Sequence, residues 1–177
     1  MQTRHQDRSA YFEETATSCR NYYLPYIEQH TSLKFGRKCR VMEVGCGIGG
    51  ILSIFAAMGA TVTGIDIHKP SIETAKTLFA ERGLKGTFIC SDIFDYSDTQ
   101  PYDLIILHDA LEHIPEKERL MLHLKSFLKA DGLLYLGFPA WQMPFGGHQQ
   151  MAKNRIIANC PYIHLLPRPL FRFVFRA

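Results

Sequence analysis

Val41-Met-Glu-Val-Gly-Cys-Gly-Ile-Gly-Gly50 is an apolar run that carries one carboxylate, Glu43, and then opens into a loop with glycine at positions 45, 47, 49 and 50. Glycine at that density lets the backbone turn where a Cβ would clash and lets a ligand come close to the main chain. The apolar residues 51–58 that follow are predicted to be a helix, whose free N–H groups and positive dipole end face back into the loop. Strand, glycine loop and helix in that order make a nucleotide site. Gly45, Gly47 and Gly50 also satisfy the dinucleotide pattern G-x-G-x-x-G, so a nicotinamide or flavin oxidoreductase stays open on the glycines alone. Glu43 weighs against it, because a carboxylate beside the loop repels a pyrophosphate and attracts an ammonium group.

Downstream, strand and helix patterns alternate. Thr61-Val-Thr-Gly-Ile-Asp66 is a β-branched strand ending on a carboxylate at the spacing from Gly45 where a βαβ unit presents an acid to ribose hydroxyls. Residues 70–82 have helical periodicity, with Ile72, Ala75 and Phe79 on one face, Pro70 in the first turn and Gly83 as the stop. A third strand over 86–90 leads into Ser91-Asp-Ile-Phe94. The fourth, over 102–107, is continuously apolar, as expected of a parallel strand buried on both faces, and it ends in His108-Asp-Ala-Leu-Glu-His-Ile114. A helix from Pro115 buries Leu120, Leu124, Phe127 and Leu128 and stops at Asp131-Gly132, ahead of a fifth strand over 133–138. This alternation predicts an α/β chain with a mostly parallel sheet and right-handed crossovers.

The segment Glu43-Val-Gly-Cys-Gly-Ile-Gly49 resembles the first motif of the class I S-adenosylmethionine-dependent methyltransferases, in their small-molecule branch, and the likeness extends over residues 40–139. It implies a Rossmann-like three-layer α/β/α sandwich with strand order 3-2-1-4-5 and a ligand at the break between strands 1 and 4. The resemblance also implies roles. Glu43 serves the methionine end of the cofactor, while Gly45, Cys46, Gly47 and Gly49 allow close approach. Asp66 and Ile67 attend the ribose, Asp92 and Ile93 the adenine, and His108 is a further contact. Cys46 is expected to be a small apolar filler.

The pattern departs from the family at its end. The helix and antiparallel pair that normally close the sheet, strands 6 and 7, are missing, and residues 139–177 hold five of the nine prolines. The expected organisation is a single domain with an N-terminal helical cap over 1–38, a cofactor-binding core over 39–139 and a substrate-rim segment over 140–177. The cap, with Pro25 breaking it into short helices, either packs on the sheet or forms a lid over the cofactor, as the resemblance implies. Phe171-Arg-Phe-Val-Phe-Arg-Ala177 alternates aromatic and basic residues and is a candidate edge strand, and an uncovered sheet edge leaves room for a homodimer.

Acceptor chemistry should come from the loop after strand 4. His148, His113 and His108 are the candidate bases, with His148 preferred because Gly146-Gly147 places it in a loop beyond strand 5. Asp109, Glu112, His113 and His148 also resemble the E-x-x-E-H metal set of some O-methyltransferases, although Asp109 replaces the usual glutamate, so Mg2+ is possible without being favoured. Trp141, Phe145, Tyr162 and His164 would make an aromatic rim. Methyl transfer to a small-molecule acceptor, on oxygen, is the expected function. The alternative is a domain that binds the cofactor but is catalytically incomplete.

The totals agree with that picture. Across 177 residues, 46% are hydrophobic and 21% charged, which fits a globular domain. A net charge of +3 without a basic stripe argues against a nucleic-acid partner. Five cysteines without a C-x-x-C pair suggest free thiols, and with no apolar leader and no membrane span a cytoplasmic protein is expected.

Overall fold

The computed structural model describes residues 7–140, 142–145, 154–167 and 169–170. Five parallel strands form one sheet in the order β3-β2-β1-β4-β5. They are β1 (Arg40–Val44), β2 (Thr61–Asp66), β3 (Thr87–Cys90), β4 (Tyr102–His108) and β5 (Leu128–Gly137). The order reverses between β1 and β4, where Val41 pairs with Leu104 and Val44 with Leu107. That reversal leaves a crevice at the carboxyl ends of the central strands.

Alternation along the central strands builds two cores. Val41, Leu104 and Ile106 cluster with Leu52 and Phe55 of α3 (Gly50–Ala57), Phe79 of α4 (Lys69–Glu81) and Phe12 of α1 (Arg8–Ser18). The intervening residues Met42, Ile105 and Leu107 cluster with Leu120, Leu124 and Phe127 of α5 (Lys117–Phe127), whose spacing places them on one helical face. β4 is therefore covered on both faces, as its unbroken apolar run requires.

Two boundaries differ from the sequence expectation. The helix opened by Pro115 ends at Phe127, because Leu128 already pairs with Tyr102, and the Asp131-Gly132 turn lies inside β5 at a register shift opposite Tyr102 and Leu104. Pro25 does not break the cap. The helix passes from α1 into a π-helical turn (Cys19–Tyr23), where the Leu24 N–H donates to the Cys19 carbonyl, and Pro25 then occupies the first turn of α2 (Leu24–His30). A proline there lacks only an N–H that the first turn does not use.

The chain divides after Gly137 into two units. The second contains α6 (Arg155–Asn159) and a 3-10 turn (Ile163–Leu165), with Ile157, Ile163 and His164 buried within it and the Tyr162 N–H donating to the Pro144 carbonyl at 2.6 Å. His164 is thus a buried residue of this unit. Trp141, His148, Gly146 and Gly147, and the candidate edge strand 171–177, lie outside the described residues. The described residues include five strands, with β5 at one edge of the sheet. Among them no helix is long and apolar enough to cross a membrane.

Gly50 is the tightest joint between the cap and the sheet. A Cβ there would lie 1.9 Å from Thr15 Oγ1 and 2.6 Å from the Phe12 carbonyl oxygen. Gly50→Ala should therefore push α1 away from α3, with a loss of about 1–3 kcal/mol in urea unfolding. Thr15→Ala in the same chain should recover only part of it, since the Phe12 backbone obstruction remains.

Candidate cofactor site

The glycine loop hangs on the end of β2. The Gly45 and Cys46 N–H groups both donate to the Ile65 carbonyl, at 2.8 and 3.1 Å, and the Gly47 N–H donates to Asp66 Oδ2 at 2.8 Å. Asp66 Oδ1 accepts from the His68 N–H at 2.8 Å. The expected ribose acid is therefore also a brace for the loop, and each oxygen keeps a second lone pair for a hydroxyl. Gly45 has φ +74°, and a Cβ on it would come within 2.6 Å of the Ala110 Cβ, so the loop after β4 rests directly on the glycine loop.

Two cavities meet at this point. One, of about 460 Å³, is lined by Asp66, Ile67, Asp92, Ile93 and Phe94 on one side and by His113 to Glu116 on the other. The other, of about 280 Å³, is lined by Glu43, Cys46 and Gly47 below and by Tyr11, Glu14, Ser18 and Tyr23 of the cap. Both include Gly45 and Asp109. Of the expected cofactor residues, Asp66, Ile67, Asp92 and Ile93 line the first cavity, Glu43, Cys46, Gly47 and His108 the second, Gly45 both, and Gly49 neither. Ile67 is 76% exposed, a large apolar side chain left open beside Asp66. Cys46 Sγ sits 2.7 Å from where a Cβ on Gly64 would be, and burial followed by the charges of Glu43 and Asp66 drives its thiol pKa well up. That burial packs it against the Gly64 backbone and disfavours the thiolate.

Glu43 is the electrostatic centre of the smaller cavity. Its side chain is 2% exposed, and Oε2 is buried without a hydrogen-bond partner among the described residues. Burial, and then the nearby Asp66 charge, hold its pKa well above the ordinary value of 4.5. Glu14, Glu43, Asp66, Asp92, Asp109 and Glu116 line the two cavities, and among the described residues no lysine or arginine does. Such a lining fits a ligand that carries positive charge and opposes a pyrophosphate.

His108 leaves β4 at the junction of the cavities. Its ring stacks on Tyr23 of the π-helical turn at 4.5 Å between centroids, and Nδ1 lies 3.4 Å from Asp109 Oδ2. Asp109 has φ +52°, an uncommon backbone state for this residue type, and its N–H donates to the Gly137 carbonyl at 2.9 Å. Burial and the charges of Tyr135 and Asp109 push the Tyr23 hydroxyl up to about 12. The 3-10 turn Leu111–His113 is held from α5 by Lys117 Nζ, which donates to the Leu111 carbonyl at 2.7 Å and the Ile114 carbonyl at 2.5 Å. Glu112 Oε1 lies 3.8 Å from His113 Nε2, and among the described residues no three His, Cys, Asp or Glu side chains are placed to hold a metal ion. The fourth member of the expected metal set, His148, lies outside the described residues.

The lining contributed by the cap was not anticipated residue by residue. It was readable in principle, because Phe12, Ala16 and Cys19 are buried at helical spacing, which turns Tyr11, Thr15 and Ser18 to an adjacent face.

A family model described as a methyltransferase domain matches residues 36–169. The ubiquinone biosynthesis O-methyltransferase of Actinobacillus pleuropneumoniae serotype 5b (strain L20) is 39% identical over 119 residues, covering 63% of this chain and 50% of that protein. Its namesake in Coxiella burnetii (strain Dugway 5J108-111) is 38% identical over 114 residues, covering 63% and 47%. The chain spans about half the length of these curated relatives. A crystal structure of coclaurine N-methyltransferase bound to N-methylheliamine and S-adenosylhomocysteine matches in fold, with TM-score 0.57 at 23% identity, over 64% of this chain and 34% of that one.

Glu43 gives the free chain a measurable pH dependence. Its folded pKa is raised, so its contribution to stability is fully present below about pH 4.5 and is lost as pH rises through the folded value. Glu43→Gln removes that loss. In urea unfolding between pH 5 and 8 the ligand-free variant should match or exceed the parent, by a margin that grows with pH until the folded carboxyl is ionised.

Proposed function

Since the chain belongs to the methyltransferase-domain family and has the class I S-adenosylmethionine-dependent fold, we propose that it transfers a methyl group from S-adenosylmethionine to a hydroxyl of a small-molecule acceptor. The observation that carries this reading is the pair of cavities at the glycine loop, which share Gly45 and Asp109 and are lined by six acidic residues. When bound, the cofactor supplies a methyl group on a positively charged sulfur. The adenosyl part suits the larger cavity, where Asp66 accepts from the ribose hydroxyls, Asp92 accepts from the adenine amino group, and Ile67 and Ile93 cover the rings. In the smaller cavity Glu43 faces the ammonium and orders the loop, and Gly47 leaves the main chain open, since a Cβ on it would meet nothing. A ligand that spanned both cavities would pass Gly45 and Asp109, next to which His108 lines the smaller one.

His108 is the candidate that receives the hydroxyl proton as the acceptor oxygen takes the methyl group. Tyr23 fixes its ring plane and Asp109 faces its Nδ1. His113 lines the adenosine cavity and is less suited to that work. His148 keeps its place as a second candidate from the sequence. The curated relatives are O-methyltransferases by name, which favours oxygen as the acceptor atom. A cofactor-binding domain without turnover is the competing outcome.

The test joins binding to turnover. S-Adenosylhomocysteine should bind the parent while NADH does not, and Asp66→Ala should weaken the former by about tenfold or more, the loss expected for hydrogen bonds to a charged acceptor. With radiolabelled S-adenosylmethionine and a panel of phenols and alcohols, His108→Ala should retain cofactor affinity and lose about 10²-fold or more in turnover. NADH binding in place of S-adenosylhomocysteine would reject the proposal. Cofactor binding with no labelled product from any acceptor would favour the domain without turnover.

A further inference from the structure

Resting on the cofactor assignment above, we propose that His123 is a positioning residue for adenine recognition, which acts on the Asp92 carboxylate through the peptide group between Ile93 and Phe94. His123 lies on α5 and lines neither cavity. Its Nε2 is 2.8 Å from the Ile93 carbonyl oxygen. A carbonyl only accepts, so this nitrogen carries the hydrogen and donates.

The Phe94 N–H donates to Asp92 Oδ1 at 2.9 Å. The Ile93 carbonyl and the Phe94 N–H are the two ends of one planar peptide group. That plane is therefore held at one end by His123 together with the Tyr96 N–H, which donates to the same Ile93 carbonyl at 3.3 Å, and at the other by Asp92, and it cannot rotate without loosening these bonds. Hydrogen bonds arranged in series also polarise one another. Asp92 caps the short 3-10 turn Ile93–Asp95 through this one contact, which leaves Oδ2 for a donor in the cavity.

The ring that does the holding is itself fixed. His123 meets Phe127 edge-on at 4.8 Å and Phe94 at 5.7 Å between centroids. Arg119, one turn earlier on α5, lies over Phe94 at 4.2 Å and pairs with Glu116 at 3.0 Å. Phe94 and Glu116 belong to the cavity wall, so α5 supports the adenine side of the pocket at both points. The choice between an amino group and an oxygen at purine position 6 depends on where Asp92 Oδ2 points. His123 sets that direction without touching the ligand.

The experiment compares S-adenosylhomocysteine with its deaminated 6-oxo counterpart, S-inosylhomocysteine, by calorimetric titration of the whole chain. The parent should prefer the adenine ligand by about tenfold, the scale of one hydrogen bond to a charged acceptor. His123→Ala should lose most of that preference, with weaker binding of the adenine ligand and little change for the deaminated one. His123→Gln, which restores an N–H donor at similar reach, should retain the preference. If the alanine variant does not fold, His123→Phe keeps the ring packing without the donor and carries the same expectation. Equal weakening of both ligands, or an undiminished preference without the donor, would overturn the inference. A parent that binds neither ligand would instead overturn the cofactor reading, and this inference with it.

Discussion

The structure turns on how the end of β2 holds the loop that follows β1. One carbonyl, that of Ile65, accepts from two successive loop amides, and the Asp66 carboxylate takes a third. This forces the chain to curl over the strand ends within a few residues. The positive φ at position 45 favours glycine, and only glycine leaves room there for Ala110. The same curl points the first turn of α3 toward the crevice. Because Gly50 lacks a side chain, α1 lies directly on that turn and contributes Tyr11, Glu14, Thr15 and Ser18 to the wall of the smaller cavity. Topology, loop conformation and cavity shape thus follow from a handful of hydrogen bonds at one strand end.

Electrostatics gives the crevice its selectivity. A carboxylate buried without a partner is unfavourable in the free chain, and Glu43 responds by holding its proton to higher pH. A ligand with an ammonium or sulfonium group relieves that condition, because its charge stabilises the ionised carboxyl. The cost of burying Glu43 is therefore linked to ligand binding, and the affinity should depend on pH through this group. With no lysine or arginine on either cavity among the described residues, a pyrophosphate would find neither hydrogen-bonding cations nor a favourable potential. The acid two residues before the first glycine distinguishes this site from a dinucleotide site that the glycine spacing alone would admit.

Much of this was legible because the relevant signals are local. The carboxylates Glu43, Asp66 and Asp92 each sit at or just beyond a strand, and the apolar runs around them fixed the strand positions, so their convergence followed from the parallel order. What escaped the sequence was non-local. The π-helical turn carries Tyr23 onto His108, a contact between distant parts of the chain, whereas Pro25 pointed toward a break. The spacing of Asp66 pointed to a ribose, but not to its bond with the Gly47 N–H, a contact that depends on the three-dimensional path of the loop. His123 carries no motif at all, since its significance lies in a carbonyl thirty residues away in sequence. The β5 boundary was misplaced because Asp131-Gly132 has the composition of a helix stop while strand pairing at Leu128 begins sooner.

The most direct measurement is a calorimetric titration of S-adenosylhomocysteine into the chain across the pH range above 4.5 in which free Glu43 still holds its proton, repeated in two buffers of different ionisation enthalpy, for the parent and Glu43→Gln. The account predicts that the parent releases a proton on binding and that the variant binds more weakly without that release. Identical proton counts in the two proteins, or binding that the substitution leaves unchanged, would contradict the claim that a cation on the ligand meets Glu43 at the glycine loop.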